Sequence, residues 1–539
     1  MNLGGVLVVG IDGGTWDVLE PLARRGVMPT IRRVLDDGAH GELTSVVPWY
    51  TVPGWTSLMT GANPGRHGLL HWVRTEAADY WESRRAGRRF TASTDLRLPT
   101  FWDVAGAAGK RVAVVNMPLT FPAWPVNGAM VTGLLTPAGD VSGQSHPEGF
   151  LRDYPEYRFD LRHAKRREAE GSLPPLEQLL REMAEVTESR RRLMSDLTAG
   201  DRDLMVAVFV GMDRVSHRVW PHQERILTEP EERWGELERL AAAYYRSLDS
   251  VVGSLIEAAG PEATTLFVSD HGFSRGPDRK FRVNAWLRDA GYLVLRAGRV
   301  QQAAHASGAV KKVARRALRA YRRRARRPAE HVGVSLAATR AYAVHFSWCP
   351  VFGVAVNERG VKREGAVDPA EVPALLDRLT GDLLAIQDPD ASGPVVLRVM
   401  RREEVADGPE LVRLPHLFVE VSPRYFPDDG LRRREVFEPL RTDSGRHTRE
   451  GLLGAVGARV NPAFAESARI EDIAPTVLAL LGLEATPDMD GKVLTSLVQT
   501  TERLQAPPSA AAPTATAVTL SEDDQAAIER HLRDLGYEE

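Results

Sequence analysis

The 539-residue chain has a single cysteine, Cys349, so it forms no internal disulfide and carries no cysteine-cluster metal site. Lysine is scarce as well: seven lysines stand against 62 arginines. A GC-rich genome accounts for that bias, because arginine codons are GC-rich and lysine codons are not. No stretch approaches the roughly 18 uninterrupted apolar residues of a transmembrane helix. The start, Met1-Asn2-Leu3-Gly4-Gly5, has no basic region, and the apolar run 6–11 is short and ends in an acid. A cytoplasmic location is therefore expected. The net charge of -3 gives the whole molecule no bias toward polyanions, and no nucleic-acid module is evident.

What is present is ordinary for a globular protein. Hydrophobic residues make up 43% and charged residues 26%, which excludes wholesale disorder. The 46 glycines and 35 prolines imply many loops. At about 150 residues per domain the length fits three or four units, or one large α/β domain with insertions.

Several apolar runs end in polar or acidic residues. Residues 6–11 end at Asp12, 112–115 at Asn116, 204–212 at Asp213, and 264–269 at Asp270-His271. Near-continuous apolar runs read as strands buried on both faces of a parallel sheet. Helical stretches, 176–198 and 230–259, separate them. The expected fold is α/β: a doubly wound, mostly parallel central sheet flanked by helices, with an inserted cap subdomain. In such sheets ligands bind beyond the carboxyl ends of the strands, where Asp12, Asp213 and Asp270 fall.

The expected organisation is a core over 1–274, a cap over 275–440, a closing part of the core over 441–500, a Pro/Ala/Thr-rich linker over 501–519 and a final helix over 520–539. The cap holds a basic helical segment, 298–330. Within it, ten of the 17 residues from Lys311 to Arg327 are basic and none is acidic. Such a run is a solvated helix face or a patch for an anionic surface.

The candidate ligands are three aspartates and three histidines. Asp213 and His217 are spaced i, i+4 and share one face of a helix. Asp270 and His271 are adjacent at a strand end, and His447 follows the insertion in Gly445-Arg446-His447-Thr448. Carboxylate and imidazole together suit Zn²⁺, with Mn²⁺ as the other choice. Hydroxyls recur at Thr51, Thr56, Ser57 and Thr60. From spacing alone Thr51 is either a helix N-cap or, beside a metal, a nucleophile. Trp49, Tyr50, Trp55 and Trp72 cluster nearby, either as core or as a wall for an apolar or planar leaving group.

The ordered set resembles the alkaline phosphatase superfamily in its type I phosphodiesterase/nucleotide pyrophosphatase branch, and most of all the bacterial and archaeal predicted phosphohydrolase/phosphomutase group. The matching stretches run from Val9-Gly10-Ile11-Asp12-Gly13 through 51–68 and Asn116-Met117-Pro118. They continue with Asp213-Arg214-Val215-Ser216-His217, Ser269-Asp270-His271-Gly272-Phe273, Gly445-Arg446-His447 and Met489-Asp490-Gly491. The resemblance implies two divalent ions, one held by Asp12, Asp270, His271 and the Thr51 oxygen, the other by Asp213, His217 and His447. It also implies attack by Thr51 on phosphorus and hydrolysis of the resulting phospho-threonine. The substrate would be a phosphodiester or phosphomonoester, on a small molecule, nucleotide or lipid.

There are departures. Relatives place an asparagine after their His-Gly turn, where this chain has Trp72, so Asn116 or an arginine or lysine of the cap is the candidate substitute for holding a phosphoryl oxygen. Cys349-Pro350 does not fit a sulfatase motif. A phosphomutase or phosphotransferase on the same site, and a non-catalytic binder of phosphorylated ligands, are the alternative readings.

Overall fold

The computed structural model of the protein describes residues 5–74, 89–137, 142–159, 175–295, 333–431 without 347 and 363, 435–441, 444–500 without 465, 503–514, 525 and 528. Among these, nine strands form the main sheet: β1 (Val6–Ile11), β2 (Ala39–Thr44), β3 (Val112–Met117), β4 (Gly128–Thr132), β5 (Ser145–His146), β6 (Leu204–Phe209), β7 (Thr264–Val268), β8 (Glu450–Val456) and β9 (Ala468–Arg469). Their order is β9-β2-β8-β7-β1-β6-β3-β4-β5. The central strands β7, β1, β6, β3 and β4 run parallel, while β8 and β5 pair antiparallel with β7 and β4.

Every residue of β1, β3 and β6 is buried, because the sheet is covered on both faces. In β1, Val6 and Val8 enter the core on one face, and Leu7, Val9 and Ile11 on the other. Helices α1 (Trp16–Arg24), α2 (Pro29–Asp37) and α5 (Glu236–Ala259) pack on the second face. Helix α3 (Thr51–Thr60) packs on the first. Helix α4 (Gly211–Thr228) follows β6. This is the α/β sheet with flanking helices that the apolar runs imply.

The element ends differ in informative ways. The run 204–212 stops being a strand at Phe209, and helix α4 takes Met212 and Asp213. The expected helix over 176–198 divides into Leu176–Ser189 and Arg191–Ala199. At the break, the Arg190 guanidinium donates to the carbonyls of Arg158 and Phe159. The expected helix over 230–259 begins only at Glu236.

A second sheet, antiparallel, contains Ala341–His345, Val351–Val356, Leu417–Val421 and Val396–Arg401 in that order. It has a core of its own that includes Phe281, Phe352, Leu379 and Val419. The basic segment 298–330 lies outside the described residues, as does nearly all of 520–539. Within 501–519, residues 503–514 carry no helix or strand apart from the isolated bridge Leu483↔Gln505. Among the described residues no helix is long and apolar enough to cross a membrane.

Helix α2 has no side-chain cap of its own, because Met28 precedes it. Asp249 of α5 supplies one from afar: its carboxylate oxygens accept from the Thr30 and Ile31 N–H groups, each at 2.9 Å. Asp249→Ala is expected to lower stability by about 2 kcal/mol, because two buried donors lose their acceptor. Denaturant unfolding measures this, and an unchanged midpoint would show that the cap contributes nothing.

Candidate metal centre

Three neighbouring parallel strands deliver the acids. Asp12 directly follows β1, Asp270 follows β7 by one residue, and Asp213 enters the first turn of α4 just beyond β6. His217 lies one turn further along α4, and His271 adjoins Asp270. His447 comes from the short strand Gly445–Thr448, which pairs antiparallel with Gly272–Arg275 and sets His447 opposite Phe273. All six side chains, with Thr51, are at most 3% exposed.

The structure brings these residues together. Ligand atoms of Asp12, Asp270 and His271 lie within 4.8 Å of one another, and so do those of Asp213, His271 and His447. His217 joins the second group, with its Nε2 3.3 Å from Asp213 Oδ1 and 2.9 Å from His447 Nε2. His447 Nε2 is 3.2 Å from the same Asp213 oxygen. His271 stands between the two groups.

Each acid on the first group is anchored by one oxygen. Asp12 Oδ2 accepts the Trp55 indole N–H at 3.0 Å, and Asp270 Oδ1 accepts the Gly13 N–H at 3.2 Å. Gly13 sits at φ +68, a conformation that favours glycine. His271 Nδ1 lies 3.1 Å from the Gly272 carbonyl, so it carries the proton and Nε2 presents a lone pair. Four buried atoms are left without a hydrogen-bond partner: Asp12 Oδ1, Asp270 Oδ2, His271 Nε2 and Thr51 Oγ1. That donor set fits a divalent cation, because buried polar atoms are rarely left unsatisfied without cause.

Thr51 is the first residue of α3, and the N-cap position is Tyr50 in extended conformation. The Thr51 hydroxyl makes no capping bond. The other hydroxyls of the segment are engaged: Thr56 donates to the Val52 carbonyl, Thr60 to the Thr56 carbonyl, and Ser57 pairs with His67. One turn after Thr51, Gly54 packs so close to Asp270 that an added Cβ would lie 2.9 Å from its Cβ. This close approach seats the start of α3 against the acid.

The electrostatics match the geometry. Burial, then Asp270 and Asp213, push Asp12 well above the usual carboxylate range, and burial does the same to Asp270. Burial would also raise Asp213, but His217 and His447 outweigh it and hold that carboxyl well below its usual range. Burial lowers His271 and takes His447 down to about 4, which keeps their imidazoles neutral and able to ligate.

The two expected substrate contacts are placed as follows. Asn116, at φ 63, donates its amide N–H to the Val208 carbonyl at 2.6 Å. Trp72 is fully buried and meets Tyr50 edge-on at 6.5 Å. Trp49, Tyr50 and Trp55 are buried as well, so this cluster is core. Cys349 is buried and its thiol is pushed up by burial, unlike a nucleophile.

One residue at the centre escaped the sequence reading. Trp348 lies between two strands of the second sheet, at φ 55. Its ring sits 4.7 Å from that of His217, and its carbonyl accepts the His447 N–H at 3.3 Å. It thus touches two residues of the candidate centre from another sheet, and no local motif marks it.

A doubly wound sheet with overlapping carboxylate–imidazole groups at its carboxyl edge defines the class: an α/β metal-dependent hydrolase with an alkaline-phosphatase-like fold. The chain belongs to the type I phosphodiesterase / nucleotide pyrophosphatase family, whose sequence model matches residues 6–447. Among solved structures it is similar to murine ectonucleotide pyrophosphatase / phosphodiesterase 5, with 15% identity and a TM-score of 0.52 over 92% of this chain and 100% of that one. It is also similar to phosphonoacetate hydrolase from Sinorhizobium meliloti in complex with phosphonoacetate, with 18% identity and a TM-score of 0.53 over 88% of this chain and 94% of that one. An inactive variant of the murine protein in complex with AMP matches at 14% identity and a TM-score of 0.50, over 90% and 96% of the two chains. No curated protein matches.

Two outcomes are expected. Trp348→Ala should weaken metal retention about tenfold in chelator competition, the scale of a lost ligand-orienting contact. Trp348→Gly, which suits φ 55, separates loss of the ring from backbone strain. His67 is buried, its Nδ1 accepts the Leu69 N–H at 3.1 Å, and burial lowers it to about 3. Its folded value lies below the unfolded one of about 6.5, so stability present above that pH is lost as pH falls toward 3. His67→Gln should shrink the acid loss over this window in melting curves. An unchanged slope would place the acid sensitivity elsewhere.

Proposed function

We propose that the protein is a two-metal phosphohydrolase that cleaves phosphate esters through a covalent phospho-threonine at Thr51. Asp12, Asp270, His271 and the Thr51 oxygen would hold one ion, and Asp213, His217 and His447 the other. The carboxylate and imidazole donors favour zinc. When bound, the ions supply Lewis acidity that favours an ionised hydroxyl and neutralises charge on the transferring phosphoryl group.

The chain's own groups do the rest. The start of α3 aims Thr51 Oγ1 and favours negative charge there. Oγ1 attacks phosphorus, its proton passing to solvent; the new O–P bond forms as the bond to the leaving oxygen breaks. Water then attacks the phospho-threonine, and the Thr51 hydroxyl is regenerated as phosphate or a phosphomonoester departs. The observation that carries this reading is the Thr51 hydroxyl, buried, unpartnered and excused from capping. The relative described with AMP supports the phosphate-ester class, whereas phosphonoacetate, a phosphonate without an ester oxygen, supports only recognition of a phosphorus oxyacid. The second sheet would act as a cap that shapes the leaving-group side, through Trp348 and the residues around it.

The test is turnover of an aryl phosphodiester against the matching monoester on metal-analysed protein. Thr51→Ala and Asp270→Asn should each reduce kcat by about 10³-fold or more, with the melting transition retained. Residual wild-type turnover in clean Thr51→Ala protein would overturn the mechanism. The ratio of diester to monoester activity decides between phosphodiesterase and phosphatase.

A further inference from the structure

Phe273 takes no part in the scheme above, yet its ring lies among three of the candidate ligands. The residue is 1% exposed. Its ring centroid lies 4.8 Å from that of His217, with the planes at 73°, and 5.2 Å from that of His447, with the planes at 68°. Both are edge contacts, a preferred geometry for aromatic pairs. His271, two residues back in the chain, is further away at 5.9 Å and tilted by 48°. Trp220 of α4 stacks on the ring at 6.1 Å and 21°.

Two glycines meet the ring at opposite edges. A Cβ on Gly13 would lie 2.8 Å from Phe273 Cδ2 and 2.9 Å from Cε2. A Cβ on Gly445 would lie 2.7 Å from Cδ1 and 2.9 Å from Cε1. The ring is therefore held by backbone on both sides, and it separates the segments that carry the centre. Gly13 belongs to the turn after β1 and donates its N–H to Asp270. Helix α4 brings His217. Gly445 begins the strand that brings His447, and in that ladder Phe273 stands opposite His447.

An imidazole ligates only when its nitrogen points along a set direction, so whatever fixes the ring plane tunes the site. For His271 the contact of Nδ1 with the Gly272 carbonyl does this. We propose that Phe273 is a positioning residue that sets the ring planes of His217 and His447 toward the ion held with Asp213. The proposal rests on the two-ion reading given above. The two close edge contacts fall on the imidazoles of that ion, and the longer, tilted one falls on His271. Loss of the flat ring therefore weakens the Asp213 ion and leaves the ion of Asp12 and Asp270 largely as it was.

Phe273→Leu tests this in the metal-depleted full chain, by Zn²⁺ titration against a chromophoric chelator and by the visible absorption of added Co²⁺. Neither readout needs turnover. The wild type is expected to take up two ions. In Phe273→Leu one of them should bind at least about tenfold more weakly, the scale of a lost ligand-orienting contact, and its Co²⁺ bands should change. Two backgrounds identify that ion. In His447→Ala, which already lacks a ligand of the Asp213 ion, Phe273→Leu should cost the remaining ion less than about twofold, whereas in Asp12→Asn the loss of about tenfold should persist. Equal weakening in both backgrounds would overturn the proposal. So would a lowered metal-free melting temperature with unchanged Zn²⁺ binding, which would make Phe273 a packing residue alone. Should Phe273→Leu lose its cooperative metal-free transition, Phe273→Met, which fills the space without a flat ring, is read by the same criteria. A wild type that takes up a single ion would overturn the two-ion reading. The Phe273 proposal then stands if His447→Ala and Phe273→Leu each weaken that ion at least about tenfold, and falls otherwise.

Discussion

Asp12, Asp213 and Asp270 are brought almost out of water at the ends of three adjacent strands, and that crowding governs the centre. At about 5 Å and an effective dielectric near 20, two ionised carboxylates repel by roughly 3 kcal/mol. The chain answers the crowding unevenly. Asp213 has two imidazoles against it and stays ionised, while Asp12 and Asp270 lean on Trp55 and Gly13 and are pushed toward the protonated form. A cation held by Asp12 and Asp270 would remove that imbalance, and the neutral His271, its proton on Nδ1, presents Nε2 to the same space.

This constraint explains the positions of elements that do not touch the acids directly. Gly54 must lack a side chain so that α3 can approach Asp270, and the approach carries the Thr51 hydroxyl with it. The antiparallel pair of Gly272–Arg275 and Gly445–Thr448 ties His447 to the segment just after His271. Strand β8 follows at once and joins the main sheet beside β7. The return of the chain from the second sheet is therefore fixed at the metal edge, and His447 arrives with it.

Much of the centre was legible because its parts are local. A strand buried on both faces shows as an apolar run, and the acid that ends it stands out, as at Asp12 and Asp270. The i, i+4 spacing of Asp213 and His217 needs only one turn of helix. Other parts had no local sign. That Tyr50, and not Thr51, takes the cap position of α3 is set by backbone conformation, which residue spacing does not reveal. The aromatic cluster around it divides by environment: Trp55 packs in the core and also orients Asp12, which no composition rule distinguishes from packing alone. Strand β8 has an antiparallel register and two glycines, so it lacks the apolar continuity that revealed its neighbours. Trp348 is set by a connection in a different sheet, and its contact with His217 is a tertiary fact.

The connection 346–349 of the second sheet meets both the segment leading to Thr51 and helix α4. Phe346 packs on Tyr50 at 6.1 Å, Trp348 on His217 at 4.7 Å, and Cys349 faces the Trp49 backbone. Residues from one short connection thus touch the segment before Thr51 and His217 of the candidate centre. The connection 346–349 therefore ties the second sheet to the candidate centre, so a change in it reaches His217 and His447 without altering either residue.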